Sequence, residues 1–184
     1  MTKSYLDSVI KQFRYYRSLG DKTLERLSFE QLKHAPEEFS NSVAIITKHI
    51  AGNMLSRWTN FLTEDGEKAW RDRDQEFIDS FTSKEELIAY WDKGWQCLFD
   101  AITPLNEDQL EQLVYIRNQG HTVTEALNRQ LAHYAYHIGQ MIILAKQIRG
   151  EQWKSLSIAK GQSADYNKDK FAKDKGRRHF TEDL

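Results

Sequence analysis

A chain of 184 residues, 40% hydrophobic and 29% charged, suits one domain and can bury a full core without disulfide or metal staples. A formal charge of −1 gives no global positive field for nucleic acid or acidic lipid, and no apolar run is long enough to span a membrane. The one cysteine, Cys97, cannot form an internal disulfide and no CxxC occurs, so the expected setting is a reducing cytoplasm.

Met1 leads directly into a charged amphipathic segment without the apolar run of a signal peptide. With only 9 Gly and 2 Pro, long uninterrupted elements are expected, helices more than strands. Residues 4–27 carry Leu6, Ile10, Phe13, Tyr16, Leu19, Leu24 and Leu27 at three-to-four spacing, which predicts an amphipathic helix loosened near Gly20. A polar connector around His34, Pro36 and Glu37–Glu38 follows. Ser40, Asn41 and Ser42 offer N-caps for a second helix running to about Leu62. Residues 63–79 are charged and contain an Asp-Gly pair, so they read as a surface loop pinned by Trp70 and Phe77.

The third helix starts at Thr82 or Ser83, which pair with Glu85 and Glu86 at capping-box spacing, and stops near Pro104. A second loop, 106–120, includes VYIRNQG, an irregular extended piece. Thr122 with Glu125 is another capping box and opens the fourth helix, which Gly150 ends. A short helix is expected near GQSADYNKDKF, then a mixed-charge, solvated tail. The expectation is an all-α chain, a four-helix bundle with a short extra C-terminal helix. It forms a single domain over 1–184, core about 4–150 and extension about 151–184.

Two histidines in the fourth helix, His133 and His137, stand four residues apart. On a helix that spacing stacks them on one face, about 6 Å apart at Cβ. Leu127, Leu131, Ala135, Ile138, Ile142 and Ala145 make the same helix apolar most of the way round, hence largely buried. His49 has similar company in Ile45, Ile46 and Ile50. A lone histidine is ordinarily a satisfied polar residue near the core edge, but a buried imidazole needs a hydrogen-bond partner or a metal. One ion shared by His49, His133 and His137 competes with three separate hydrogen-bonded histidines, and spacing does not decide between them. His121 lies twelve residues before His133, about 18 Å along a helix. His34 and His179 fall in the connector and the tail.

There is no HExxH, because residue 134 is Tyr, and no ExxH pair, which argues against zincin and di-iron carboxylate sites. Three neutral imidazoles would leave coordination positions open, the pattern of a catalytic rather than a structural site.

His49 within NSVAIITKHIAGN, followed by RW, then HYAYHIGQ and a late GQS, resembles the DinB/YfiT-like superfamily, and within it a branch described only as a domain of unknown function. The likeness extends from about residue 5 to 170. The resemblance implies a four-helix bundle with up-down-down-up-like connectivity, usually a homodimer. It also implies one divalent metal, zinc or nickel, on the residues matching His49, His133 and His137. Characterised members are metal-dependent transferases and isomerases using low-molecular-weight thiols such as bacillithiol or mycothiol.

By analogy the chain is expected to activate a thiol, or water, for attack on a small electrophilic substrate, without nucleic acid or membrane partners. The alternative is a non-catalytic metal- or small-ligand-binding stress-response dimer. Gln140 and Arg129 can edge the histidine face, the first bonding a metal-bound ligand and the second holding an anionic group. Asn53, one turn after His49, can orient a ligand. Each also has a bland reading as ordinary helix polarity. Trp58, Trp91 and Trp95 read as core, and Cys97 as an inert buried thiol.

Overall fold

Helix α1 spans Ser4–Glu25 in the computed structural model, which describes residues 4–183. It buries Leu6, Phe13, Leu19 and Leu24 as the spacing predicts, but Val9 takes the buried place while Ile10 and Tyr16 are half-buried. The expected loosening at Gly20 is absent. A Cβ there would lie 2.5 Å from the Trp91 ring, so this glycine serves close packing, not a break. The chain interrupts after Glu25 instead, and Ser28 opens a separate short helix, α2 (Phe29–Lys33), through a capping box with Gln31. That S-x-x-Q signal lay inside what reads as the end of helix one and the connector.

Helix α3 (Val43–Trp58) begins at Ser42, whose side chain accepts the Ile45 N–H. It ends at Trp58, short of Leu62, because Thr59 is extended and Asn60 adopts a φ of 50°. Helix α4 (Lys84–Ile102) is capped by Ser83, while Glu86 accepts the N–H and hydroxyl of Thr82. The stretch read as irregular is an antiparallel hairpin, β1 (Leu113–Ile116) with β2 (Gln119–Thr122), Leu113 opposite Thr122. Arg117 and Asn118 turn it with φ of 56° and 60°, the conformation a two-residue hairpin loop requires. Thr122 and Glu125 form the capping box of α5 (Val123–Arg149), and α6 (Ser163–Phe171) follows.

The chain is mostly helical. Its four long helices close a ring: α3 packs on α4 and α5, and α1 packs on α5 and α4. Trp58, Trp91, Trp95 and Tyr134 fill the centre. Helix α3 is rich in β-branched residues, weak helix formers. Burial holds it: Val43, Ala44, Ile50, Ala51 and Met54 are fully enclosed, and each large apolar side chain so buried contributes about 1.5–3 kcal/mol. Among the described residues no helix is long and apolar enough to cross a membrane. The tail is less free than expected at His179, which bonds Thr181 and reaches Ser8 on α1.

Candidate metal centre

Helices α3 and α5 bring His49 beside His133 and His137. One ring nitrogen of each lies within 4.8 Å of the other two. Nε2 of His133 is 3.0 Å from Nε2 of His137 and 3.4 Å from Nε2 of His49. His49 is buried and the α5 pair half-buried, so the cluster sits at the edge of the core.

The far side of each outer ring is fixed by a partner. Nδ1 of His49 lies 2.9 Å from Glu76 Oε2, and an ionised carboxylate only accepts, so Nδ1 carries the proton. Gln140 donates its Nε2 to the Tyr136 hydroxyl, which leaves its Oε1 to accept from His137 Nδ1 at 2.7 Å. With Nδ1 as the donor in each, the Nε2 atoms of His49 and His137 are the ones free to offer a lone pair, and both face His133 Nε2. A proton on His133 Nε2 has one direction and satisfies one of them well. A cation between the three rings satisfies all three.

Glu76 comes from the loop between α3 and α4, at a 3-10 turn spanning Asp74–Phe77. Arg71 grips it twice, Nε to Oε1 at 2.7 Å and Nη2 to Oε2 at 2.9 Å. Burial opposes the Glu76 charge, yet the hydrogen bonds from His49 and Arg71 and the Arg71 charge hold its carboxyl below the ordinary range. Gly52 makes room, since a Cβ there would lie 2.5 Å from Glu76 Oε1. Phe77 stacks on the His49 ring at 4.9 Å, and the Arg73 guanidinium lies over the Phe77 ring. Lys48 anchors the same loop by donating to the carbonyls of Gln75 and Ile78. The loop is therefore docked, not merely superficial. Phe77 pins it as expected, whereas Trp70 is 61% exposed and does not.

Burial, then the neighbouring His137 and His49 and the more remote Arg57 and Arg71, push His133 down to about 3. Burial chiefly depresses His137 to about 4, with the Gln140 bond opposing. Both stay neutral at pH 7, the state that metal binding requires.

The remaining candidates part company. Gln140 belongs to the cluster through His137. Asn53 faces inward, where its Oδ1 accepts the Tyr134 hydroxyl, which itself accepts the Trp58 indole N–H. Arg129 is exposed and lies against His121, 3.3 Å away, not against the three histidines. Cys97 is half-buried and lines a groove rather than sitting sealed in the core. Sequence reasoning missed Glu76 and Arg71. The usable signal was chemical: a buried imidazole that ligates requires an outer acceptor, and the loop carrying Phe77 is acidic.

A family model described as a protein of unknown function (DUF1572) matches residues 1–162, and the chain belongs to that family. No curated protein matches it.

Proposed function

We propose that His49, His133 and His137 hold one divalent ion, zinc or nickel, and that the centre is catalytic, in the manner of the DinB/YfiT-like superfamily. The observation that carries the reading is the pair of bare Nε2 lone pairs converging on a third. The donor set fits the ion: zinc–nitrogen bonds of about 2.0–2.1 Å in tetrahedral array separate nitrogens by about 3.3 Å. Two of the three pairs here stand at 3.0 and 3.4 Å and all three nitrogens lie within 4.8 Å of one another, so the adjustment an ion requires is to draw His49 and His137 together.

A divalent ion held by His49, His133 and His137 would supply Lewis acidity and lower the pKa of a bound thiol or water. The chain's own groups prepare that site. Glu76, clamped by Arg71, keeps the His49 proton on Nδ1 and its Nε2 free, and Gln140 does the same for His137. Phe77 fixes the plane of His49. Tyr136, exposed with its ring centroid 4.7 Å from that of His137, is the aromatic group proposed to meet a small electrophile. Low-molecular-weight thiols of the bacillithiol type are the favoured nucleophile and water the second, on a chain expected to pair as a homodimer.

The test is metal content followed by turnover. Purified protein is expected to carry about one divalent ion per chain, lost in His133→Ala. The loaded protein is expected to transfer bacillithiol to a chlorinated arene, releasing chloride. No stoichiometric metal overturns the centre. A loaded site without turnover across several thiols and activated esters overturns the catalytic part and leaves a binding or sensing module.

A further inference from the structure

Helix α3 ends at Trp58 and the chain swings away through Asn60. The swing leaves a groove between the end of α3 and α4 of about 610 Å³, within the range of pockets that hold small organic ligands. None of the three histidines lines it, and the nearest lining residue of α3, Leu55, is about 9 Å beyond His49 along the helix axis. Its floor is the edge-to-face pair Trp58 and Phe61, ring centroids 5.1 Å apart, and Leu55, Leu62 and Ala101 form apolar sides.

The polar groups of the wall are mostly spent within it. Thr59 and Thr63 donate their hydroxyls to the carbonyls of Leu55 and Asn60. The Asn60 amide donates to Glu64, and Gln96 donates to Asp100. Lys93 differs: its ammonium has no hydrogen bond or ion pair among the described residues. Asp100 stands seven residues further along α4, about 10 Å, so the two ends of the groove carry opposite charge.

We propose that this groove binds a small amphipathic monocarboxylate. Its apolar body lies along the partly exposed Leu55, Leu62 and Ala101, above the buried Trp58 and Phe61 rings, and its carboxylate pairs with Lys93. A second anionic group would meet Asp100 and is disfavoured. A second copy of the chain is a poorer occupant, because specific protein interfaces need roughly 800 Å² per partner and a concave groove of this size receives a small body.

Cys97 lines the groove and is the sole cysteine, so its alkylation reports occupancy. Burial raises its thiol pKa, which makes the unliganded reaction slow enough to time. The full chain is treated with iodoacetamide while decanoate, decanedioate or decylamine is titrated in. Decanoate is expected to slow alkylation saturably, and the other two are expected to do so far less. Lys93→Gln, an exposed change that does not threaten folding, is expected to weaken decanoate by about fivefold, the worth of a partly exposed ion pair. Ala101→Trp fills the groove and is expected to abolish protection while metal content stays unchanged. Absence of saturable protection at millimolar decanoate overturns the proposal, as does equal affinity in Lys93→Gln. A dimer in sedimentation that Ala101→Trp dissociates likewise overturns it in favour of a second copy.

Discussion

Glu76→Gln keeps the shape behind His49 while removing a charge and an acceptor. The native carboxylate accepts three bonds, from His49 Nδ1 at 2.9 Å and from Arg71 Nε and Nη2 at 2.7 and 2.9 Å. An amide has one oxygen. If that oxygen stays under His49, its NH₂ faces the Arg71 Nε–H, donor against donor. A hydrogen bond to a charged group contributes about 1.5–3 kcal/mol, and His49 also loses the carboxylate that holds its proton on Nδ1. Loss of such an outer partner lowers metal affinity about 10- to 100-fold, or about 1.4–2.7 kcal/mol. The assay is zinc competition against a chromophoric chelator at neutral pH, paired with melting of the metal-free protein. A fall in Tm of several degrees is expected, since each kcal/mol moves Tm by about 2–4 °C at this chain length. Zinc affinity is expected to drop by one to two decades. Unchanged zinc affinity in a folded Glu76→Gln protein would refute the role given to the Arg71–Glu76 clamp.

Three further outcomes follow from the same geometry. His133 and His137 titrate near 3 and 4 when folded and near 6.5 when unfolded. The unfolded chain therefore binds protons first, and metal-free protein keeps its full stability above pH 6.5 and loses it as pH falls toward 4. Melting against pH checks this, and His133→Ala should flatten the slope. Gly94→Ala places a Cβ 2.8 Å from the Ala51 Cα, so α3 and α4 must separate at a cost of roughly 1–3 kcal/mol, read by denaturant midpoint. Tyr134→Phe strands the Trp58 N–H and the Asn53 oxygen, 3.1 and 3.0 Å from the lost hydroxyl. It is expected to cost about 1–3 kcal/mol while metal content stays whole.

Local signals carried the long helices. Ser42, Ser83 and the Thr122–Glu125 box sit where caps were expected, because an N-cap is a bond between residues two or three apart. The convergence of His49 with the α5 pair was legible only as a shared need for partners, since nothing in spacing fixes which helices are neighbours. The hairpin escaped for a related reason. Its turn is Arg117–Asn118, not Asn-Gly, and Asp65 holds it by accepting both backbone N–H groups across more than fifty residues. Glu76 was hidden in the same way, as one acidic residue among many in a charged loop.

Helix α3 explains why that loop is ordered. Its buried face is not uniformly apolar: His49, Asn53, Ser56 and Arg57 recur at helical spacing, all at most 7% exposed. Each buried polar group demands a partner, and three of the four find theirs in the loop. His49 meets Glu76, Ser56 donates to the Gly66 carbonyl at 2.7 Å, and Arg57 reaches that carbonyl and Glu67. Asn53 instead bonds Tyr134 of α5. Arg71 then ties the two acidic residues together, bonding Glu76 and approaching Glu67 at 3.5 Å. The polar stripe thus templates the loop, and the loop in turn fixes the proton on His49. A substitution at Ser56 or Arg57, more than a full helical turn from the histidine, is consequently expected to lower zinc affinity by loosening the segment that carries Glu76, and unchanged affinity in Ser56→Ala would refute that link.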